Sequence, residues 1–374
     1  MRSKYLTILL SFCGASVALA TAVNWVVDPM HYYHPPWFDT GYSDQQRFQN
    51  PGLARTADYD TVLIGTSHTE IFTASDMDNY LGGRTINLSM AGSLAAEQRM
   101  LLDVILGTGK VKRVLWEINY PSFSLGDDIS QPESFPFYLY QTGIETPFRY
   151  LMSWATLQES LLALTGQRTG ELDQLHRWDL EFEFGEERVL DNWDYMTVRW
   201  NDELRRVWAL YEVSDTELAA LVEHKIIGLV RRYPDIQFDL LFLPSSMLDY
   251  SKDFGVSTSQ FEKKMLLRRQ IARQSAGIGN VRLWDFQQVD WMSRDFSHYK
   301  DLEHFDQTVA QAVLAGMSEG TFQVSPARLA DNTSQLEQSV LAFTARFCRQ
   351  NTNRCQPVLL ENLERSRRTP GAGF

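Results

Sequence analysis

Short apolar runs and helical periodicity alternate along most of the chain, and this pattern predicts an α/β protein. The runs have the length of buried strands, and the stretches between them repeat apolar residues every three to four positions, as amphipathic helices do. Such alternation is typical of a mainly parallel sheet covered by helices. The predicted strands are 60–64, 84–88, 112–118, 237–243 and 280–286. The predicted helices begin near residues 93 and 214 and cover 257–274, 307–317 and 336–347.

Two regions depart from this alternation. Residues 28–57 are rich in Pro, Tyr, His and Asp, and we predict an irregular lead-in there. Residues 124–212 are dense in aromatic side chains and too long for a plain loop in a compact domain. We predict a largely helical insertion, which is either a cap over the active face or a satellite core packed against the sheet. The predicted divisions are 1–27, an α/β domain with this insertion over 28–320, and a C-terminal helical extension and tail over 321–374.

The N-terminal segment has the character of a membrane span. Residues 5–27 contain no charged side chain, and Arg2 and Lys4 precede them. The segment exceeds the roughly 20 apolar residues that cross a bilayer. Apolar residues continue to Val27, which favours an uncleaved anchor, while the small residues at 18–20 keep a cleaved signal peptide as the alternative. Basic residues before the span predict a cytoplasmic N-terminus and an exported body.

Composition narrows the classes of function. The net charge of −12 argues against a nucleic-acid-binding protein, because no basic cluster reverses it. No cysteine or histidine spacing is typical of a zinc site, and nothing indicates a nucleotide, so we predict neither a metal nor a cofactor. Cys348 and Cys355 either form a disulfide in an oxidising compartment or remain thiols.

Ser67 is the candidate nucleophile. It follows the first predicted strand after Gly65 and Thr66. Ligands of open α/β sheets bind outside the carboxyl ends of the strands, so a hydroxyl there is accessible and held by a rigid element. The alternative is a serine that only caps the following helix.

Asp301 and His304 are the candidate partners of that serine. A histidine activates a serine by taking its proton, and an acid that binds the other ring nitrogen fixes the tautomer. The three-residue offset permits this geometry, although the same residues also suit a helix start with Asp301 as its cap. His68 and His298 are rivals. We expect the His68 side chain to point away from Ser67, and only Asp295 is near His298 in sequence.

Three groups are candidates for binding the oxyanion that acyl transfer develops. The first is the backbone N–H of Ser67. The second is Gly92, which follows the second predicted strand where a helix begins and free N–H groups point outward. The third is the side-chain amide of Asn119, directly after the third predicted strand. The alternative roles are a turn for Gly92 and a cap for Asn119.

The order of these motifs resembles that of the SGNH (GDSL-like) hydrolase superfamily. The resemblance covers roughly residues 20–318, apart from the insertion. Among the members of the superfamily, the chain most resembles membrane-anchored, exported proteins of the polysaccharide O-acetylation type. Two departures are that Gly-Thr-Ser-His replaces Gly-Asp-Ser and that the third block lacks Gly-x-Asn-Asp. The matching blocks are Asn24–Pro29, Ile64–Ser67, Asn87–Ser93, Glu117–Phe123, Leu243–Ser245 and Tyr299–Phe305.

The resemblance implies a three-layer α/β/α sandwich with a mainly parallel sheet. It implies a catalytic triad of Ser67, His304 and Asp301, with Gly92 as an oxyanion donor and Asn119 placed by position alone. The expected protein is a serine acyltransferase or esterase that acts on acetyl groups of a cell-surface polysaccharide. It is expected in the inner membrane with its body in the periplasm, beside an integral-membrane acyl donor protein. The alternative is a catalytically idle assembly or binding subunit of a polymer-export complex.

Overall fold

The predicted α/β class is confirmed by a mostly parallel sheet. The computed structural model describes residues 2–124, 129–130, 132–141, 143, 145–168, 172–173, 177–199, 213–256 and 258–368. Within these ranges the sheet has six strands, β1 (Thr61–Ile64), β2 (Thr85–Asn87), β3 (Arg113–Glu117), β4 (Gln237–Phe242), β5 (Val281–Asp285) and β6 (Gln323–Val324). Their order in the sheet is β2-β1-β3-β4-β5-β6. Strands β1 to β5 are parallel, and β6 is antiparallel to β5.

Burial explains why the five parallel strands could be predicted. All four residues of β1 are buried, as are the last four of β3 and the last five of β4. Strands that are covered on both faces carry nearly continuous apolar runs, which is the pattern seen in the sequence. Strand β6 was not predicted, because its two residues are too few to show any periodicity.

The predicted helices are confirmed, and further helices lie where none was predicted. Asp215–Val222 begins with a capping box formed by Ser214 and Glu217, and it continues through a π-helical turn, Glu223–Ile227. The lead-in contains the unpredicted helix Gln46–Thr56. The remaining helices are Arg2–Val27, Ala74–Leu81, Ala95–Gly107, Phe137–Tyr140, Glu145–Leu151, Trp154–Leu164, Glu186–Arg199, Gly228–Arg232, Met247–Val256, Thr258–Ser275, Asp290–Arg294, Gln307–Glu319, Pro326–Gln350 and Pro357–Arg368.

The chain forms two compact units. The smaller unit comprises Met1–Tyr59, Arg99–Val111 and Gln131–His176, and the larger unit comprises Asp60–Gln98, Lys112–Ser130 and Arg177–Phe374. The larger unit contains the sheet and every candidate site residue. Its core includes Trp178, Val189 and Trp193 from the predicted insertion. The predicted domain boundaries at residues 27 and 320 remain predictions.

The N-terminal helix Arg2–Val27 is long and apolar enough to cross a membrane. The apolar segment is Lys4–Val27, which has 24 residues, and its most apolar part is not buried against the rest of the chain. A signal sequence shares these properties, so the choice between anchor and signal stays open. At the other end of the chain, Cys348 and Cys355 form a disulfide with their Cα atoms 5.6 Å apart.

Candidate active site

Ser67 lies just beyond the carboxyl end of β1, as predicted. The strand ends at Ile64, and Ser67 opens a single 3₁₀ turn, Ser67–Thr69. Two hydrogen bonds hold this turn: Thr69 Oγ1 donates to the Thr66 carbonyl at 2.7 Å, and Asn87 Nδ2 donates to the Thr69 carbonyl at 2.7 Å. The Ser67 side chain is therefore carried by a fixed turn and is partly exposed.

The backbone before Ser67 is held by a buried carboxylate, Glu117. The register of the sheet pairs Ile64 with Trp116, so the next residues of both strands are neighbours. Glu117 Oε2 accepts hydrogen bonds from the Thr66 backbone N–H at 2.7 Å and from its hydroxyl at 2.9 Å. A Cβ on Gly65 would press first on the Thr69 side chain and would lie 2.7 Å from Glu117 Oε2, closer than real Cβ contacts allow. Glycine at position 65 is thus required by the close approach of both Thr69 and this carboxylate.

His304 and Asp301 lie together in a short loop. An antiparallel bridge between Tyr299 and Phe305 closes the loop. Asp301 Oδ1 accepts the backbone N–H groups of Glu303 and His304, each at 2.8 Å. Asp301 Oδ2 lies 2.8 Å from His304 Nδ1. Burial raises the pKa of Asp301, but the hydrogen bonds from the ring and backbone of His304 outweigh burial and hold that pKa below its ordinary value.

The structure brings the three predicted triad side chains together. His304 Nε2 lies 2.8 Å from Ser67 Oγ, while its other nitrogen contacts the Asp301 carboxylate. An ionised carboxylate only accepts hydrogen bonds, so Nδ1 carries the proton and Nε2 is left to accept the serine proton. This is the order of contacts that general-base activation of a serine requires.

Trp178 fixes both ends of the serine–histidine contact. Its indole Nε1 donates to the Ser67 carbonyl at 3.0 Å. Its ring meets the His304 ring edge-on, with centroids 5.2 Å apart. The Lys300 ammonium lies 4.6 Å from the Trp178 ring centroid and 4.2 Å from that of Phe182. A segment of the predicted insertion therefore contributes directly to the walls of the site.

Gly92 and Asn119, the two other predicted oxyanion donors, differ in their exposure and in their hydrogen bonds. Gly92 is exposed, adopts φ +59°, and follows a segment joined to the nucleophile block by the Met90 N–H, which donates to the Gly65 carbonyl at 3.0 Å. The amide of Asn119 donates to Glu117 Oε1 at 2.8 Å and to Thr66 Oγ1 at 3.3 Å. In this structure the Asn119 amide therefore supports the Glu117 carboxylate.

His68 is held between two carboxylates and is a poor candidate for the base. Its Nδ1 lies 3.0 Å from Glu117 Oε1, and its Nε2 lies 3.3 Å from Glu303 Oε2. Burial lowers the pKa of His68, but the hydrogen bonds to Glu117 and Glu303 outweigh burial and raise the pKa to about 10. The ring is therefore a cation at neutral pH, with both nitrogens protonated. The His68 ring also meets the His304 ring edge-on, with centroids 5.0 Å apart, so His68 lies beside the triad and makes its hydrogen bonds with Glu117 and Glu303.

His298, the other rival, has a partner that the sequence analysis missed. We expected only Asp295 near it, but Asp306 Oδ2 lies 2.8 Å from His298 Nδ1, against 3.8 Å for the closest contact with Asp295. The expectation was wrong because the loop that precedes helix Gln307–Glu319 folds back on itself. The Asp306 N–H donates to the His298 carbonyl at 2.8 Å in that fold.

A chain of charged side chains extends from His68 through Glu303, which is partly exposed, to the buried Lys252 and Asp249. Glu303 Oε1 lies 3.0 Å from Lys252 Nζ, which lies 2.7 Å from Asp249 Oδ1. Asp249 Oδ2 in turn lies 2.8 Å from Lys264 Nζ. Burial raises the pKa of Glu303, but Lys252 and the hydrogen bond to His68 hold it well below its ordinary value.

All of these charged residues except Lys252 line a small cavity of about 30 Å³. A volume of this size holds one or two water molecules. His68, Glu117, Asp249 and Glu303 are among the residues that line it.

Sequence reasoning missed Glu117, Glu303 and Trp178. Glu117 could have been noticed in the sequence, because it is an acid at the end of an apolar strand and another predicted strand ends next to Gly65. A buried acid is rarely without a partner. Glu303 stands between the two predicted triad residues and was overlooked there. Trp178 carried no signal beyond its aromatic character, since its contact with Ser67 spans 111 positions.

Comparisons with protein-family models, with curated proteins and with solved structures found no match for this chain.

Proposed function

We propose that this protein is a serine-dependent acyltransferase or esterase that uses Ser67, His304 and Asp301. The observation that carries the proposal is the pair of 2.8 Å contacts that link the serine, the histidine and the aspartate in that order. The proposal is further supported because all three side chains are partly exposed and Ser67 follows the carboxyl end of a parallel strand, where ligands of such sheets bind.

In the proposed mechanism, His304 Nε2 takes the proton of Ser67 Oγ as this oxygen attacks the acyl carbonyl carbon. The resulting oxyanion accepts hydrogen bonds from the Ser67 N–H and from Gly92. The bond to the leaving alkoxide then breaks, and that oxygen takes the proton from His304. A sugar hydroxyl or water next gives its proton to His304 and attacks the acyl-serine. The bond between the acyl carbon and Ser67 Oγ then breaks, Ser67 Oγ takes the proton back from His304, and the acylated or hydrolysed product leaves.

The substrate and location are proposed from the resemblance to SGNH hydrolases. The motif order supports an SGNH-like three-layer fold, and the apolar N-terminal helix supports an exported protein anchored in the inner membrane with its body in the periplasm. The acyl group is then acetyl, the acceptor or substrate is a cell-surface polysaccharide, and the donor is an integral-membrane protein. The activity itself is argued from the site and does not depend on these identities.

A second function is an assembly or binding subunit without catalytic activity. One observation favours it: the Asn119 amide is committed to Glu117 and Thr66, so one of the three expected oxyanion donors is engaged elsewhere. Hydrolysis of a chromogenic acetyl ester by the purified full-length chain separates the two functions.

Under the enzymatic proposal, Ser67→Ala removes this hydrolysis, and the matched variant Ser334→Ala, at an exposed helical serine, retains it. Equal hydrolysis by wild type and Ser67→Ala, or none by either, would support the assembly role.

A further inference from the structure

The smaller unit has an exposed apolar face beside the N-terminal helix. On helix Trp154–Leu164, Trp154 is 68% exposed and Leu161, seven positions on, is 48% exposed. Soluble proteins rarely leave contiguous apolar patches of this kind uncovered. Other large apolar side chains exposed on this helix or just before it are Phe148, Met152, Leu162 and Leu164.

Hydrogen bonds tie this helix to a single residue of the N-terminal helix, Asn24. Its Nδ2 donates to the carbonyls of Leu151 at 2.8 Å and Ser153 at 3.3 Å. Its Oδ1 accepts the hydroxyl of Ser160 at 2.9 Å. Asn24 is fully buried by these contacts. Both the segment that leads into helix Trp154–Leu164 and Ser160 within it therefore contact the apolar helix near its end.

Asp28 fixes the end of the apolar helix against the same part of the unit. The helix ends at Val27, and Asp28 adopts a left-handed φ of 42°. Its carboxylate accepts the hydroxyl of Tyr150 at 2.8 Å and the backbone N–H of Tyr33 at 2.7 Å. Tyr150 directly precedes the residues that contact Asn24. The height of helix Trp154–Leu164 along the apolar helix is therefore set by buried polar contacts at two places.

The depth of that level follows from helix geometry. At 1.5 Å per residue, a segment of 24 residues is roughly 36 Å long, whereas the hydrocarbon core is about 30 Å thick. If the segment spans the bilayer, its last residues lie in the interfacial layer. Trp25 and Trp37, 44% and 59% exposed, stand there with ring centroids 5.4 Å apart. Tryptophan is enriched at this layer in membrane proteins.

We infer that the exposed face of Trp154–Leu164 is a second membrane-contacting surface, and that its occupant is the lipid at the boundary of headgroups and acyl chains. Interfacial helices bury an apolar face roughly 5–10 Å into this boundary. The lipid is favoured over a protein partner because the face continues the uncovered apolar surface of the span at interfacial depth. The inference rests on the proposed insertion of the N-terminal helix, and it is independent of the proposed catalysis.

Spin-label accessibility in phospholipid vesicles tests this inference with the full-length chain. The natural Cys13 lies exposed within the apolar helix and serves as the internal lipid reference. In a Cys13→Ser background, nitroxides are placed by Leu161→Cys, by Trp154→Cys and by Asp103→Cys, the last at an exposed charged position of the same unit. Collision rates are measured with oxygen, which concentrates in lipid, and with a water-soluble nickel chelate.

We expect the labels at positions 13, 161 and 154 to favour oxygen over the chelate by several-fold, and the label at 103 to favour the chelate. A water-like label at 161 and 154 beside a lipid-like label at 13 would overturn the inference. Low access of both reagents to 161 and 154 would mean that a second protein copy covers the face, and this would overturn it as well. A water-like label at 13 would remove its basis, the insertion of the helix, and would leave the proposed catalysis untouched.

Discussion

Ser67 Oγ and His304 Nε2 lie 2.8 Å apart although 237 positions separate the two residues in sequence. Two independent devices produce this contact. The serine is placed by a parallel strand whose end is held through Thr66 by Glu117. The histidine is placed by a loop that folds around the Asp301 carboxylate. Each of the two residues is therefore positioned by hydrogen bonds within its own segment or with the adjacent strand.

Replacing Asp301 by Asn is expected to remove nearly all ester hydrolysis while the protein stays folded. The amide offers a donor to Nδ1 and so favours the wrong tautomer of His304, an effect of about 10⁴-fold on kcat in serine hydrolases. Kinetics with an acetyl ester measure the change. Asp295→Asn is the matched control, because Asp295 also precedes a histidine by three positions but contacts His298 and not the triad histidine. Comparable activity losses in both variants would contradict the role of Asp301.

Gly65→Ala is expected to impair the site although it adds one methyl group. The added Cβ would press on the Thr69 side chain, which belongs to the nucleophile turn, and on Glu117 Oε2 at 2.7 Å, the carboxylate that holds the Thr66 N–H. We expect at least a tenfold loss of kcat/KM and a loss of stability of about 1–3 kcal/mol, the range for overpacking. Gly107→Ala is the control, since a Cβ there meets open space in a helix and stability should hold or rise. Wild-type kinetics in Gly65→Ala would refute this account of the nucleophile turn.

Lys252→Met is expected to destabilise the protein strongly. Lys252 is buried and pairs with Asp249 and Glu303, so its loss removes one cation from each carboxylate and leaves Lys264 and His68 as their partners. Breaking a buried ion pair from one side costs about 3–5 kcal/mol, and the remaining partners place the expected cost at the lower end of this range. Urea unfolding measures the difference. Lys263→Met, whose partner Asp215 is exposed, should cost under about 1 kcal/mol. Equal costs for the two variants would mean that the buried chain of charges contributes no more than a surface pair.

His68 is expected to make stability fall as the pH rises from neutrality to about 10. Its pKa in the folded protein, about 10, lies above the ordinary value of 6.5. A group whose pKa is raised by folding stabilises the folded protein fully at pH values below its ordinary pKa. This stabilisation is lost as the pH rises through the pKa of the group in the folded protein. The contribution to the slope is at most about 1.4 kcal/mol per pH unit. Urea unfolding at several pH values should give a flatter slope for His68→Gln than for wild type or His298→Gln. Parallel slopes in all three proteins would contradict the charged state of His68.

The sequence predicted what depends on local pattern and missed what depends on folding. The five buried strands and the capped helix after Ser214 were visible because burial and capping leave regular marks. Helix Gln46–Thr56 was missed because it contains Pro51 and Gly52 and buries the polar side chains of Gln49 and Asn50. Helix Ala74–Leu81 carried a signal that was overlooked, a Thr73 cap that accepts the Asp76 N–H.

The site residues also divide into those that a local sequence pattern predicts and those that depend on long-range contacts. Ser67, Asp301 and His304 could be found from short motifs because strand ends and turns require particular residues. The contacts of Glu117 and Glu303 with His68 could not, because they join residues 49 and 235 positions apart. The Trp178 contact with the Ser67 carbonyl belongs to the same class. Such long-range polar contacts follow from the packing of the folded chain and leave no periodicity in the sequence.

Covalent labelling of the full-length protein by a fluorophosphonate, with the modified peptide mapped by mass spectrometry, tests the central claim most directly. The reagent reacts with a serine only where a base activates the hydroxyl. The account predicts one adduct on Ser67 that is lost in His304→Ala and kept in His298→Ala. No adduct on the folded wild-type protein, or labelling of Ser67 that persists in His304→Ala, would contradict it.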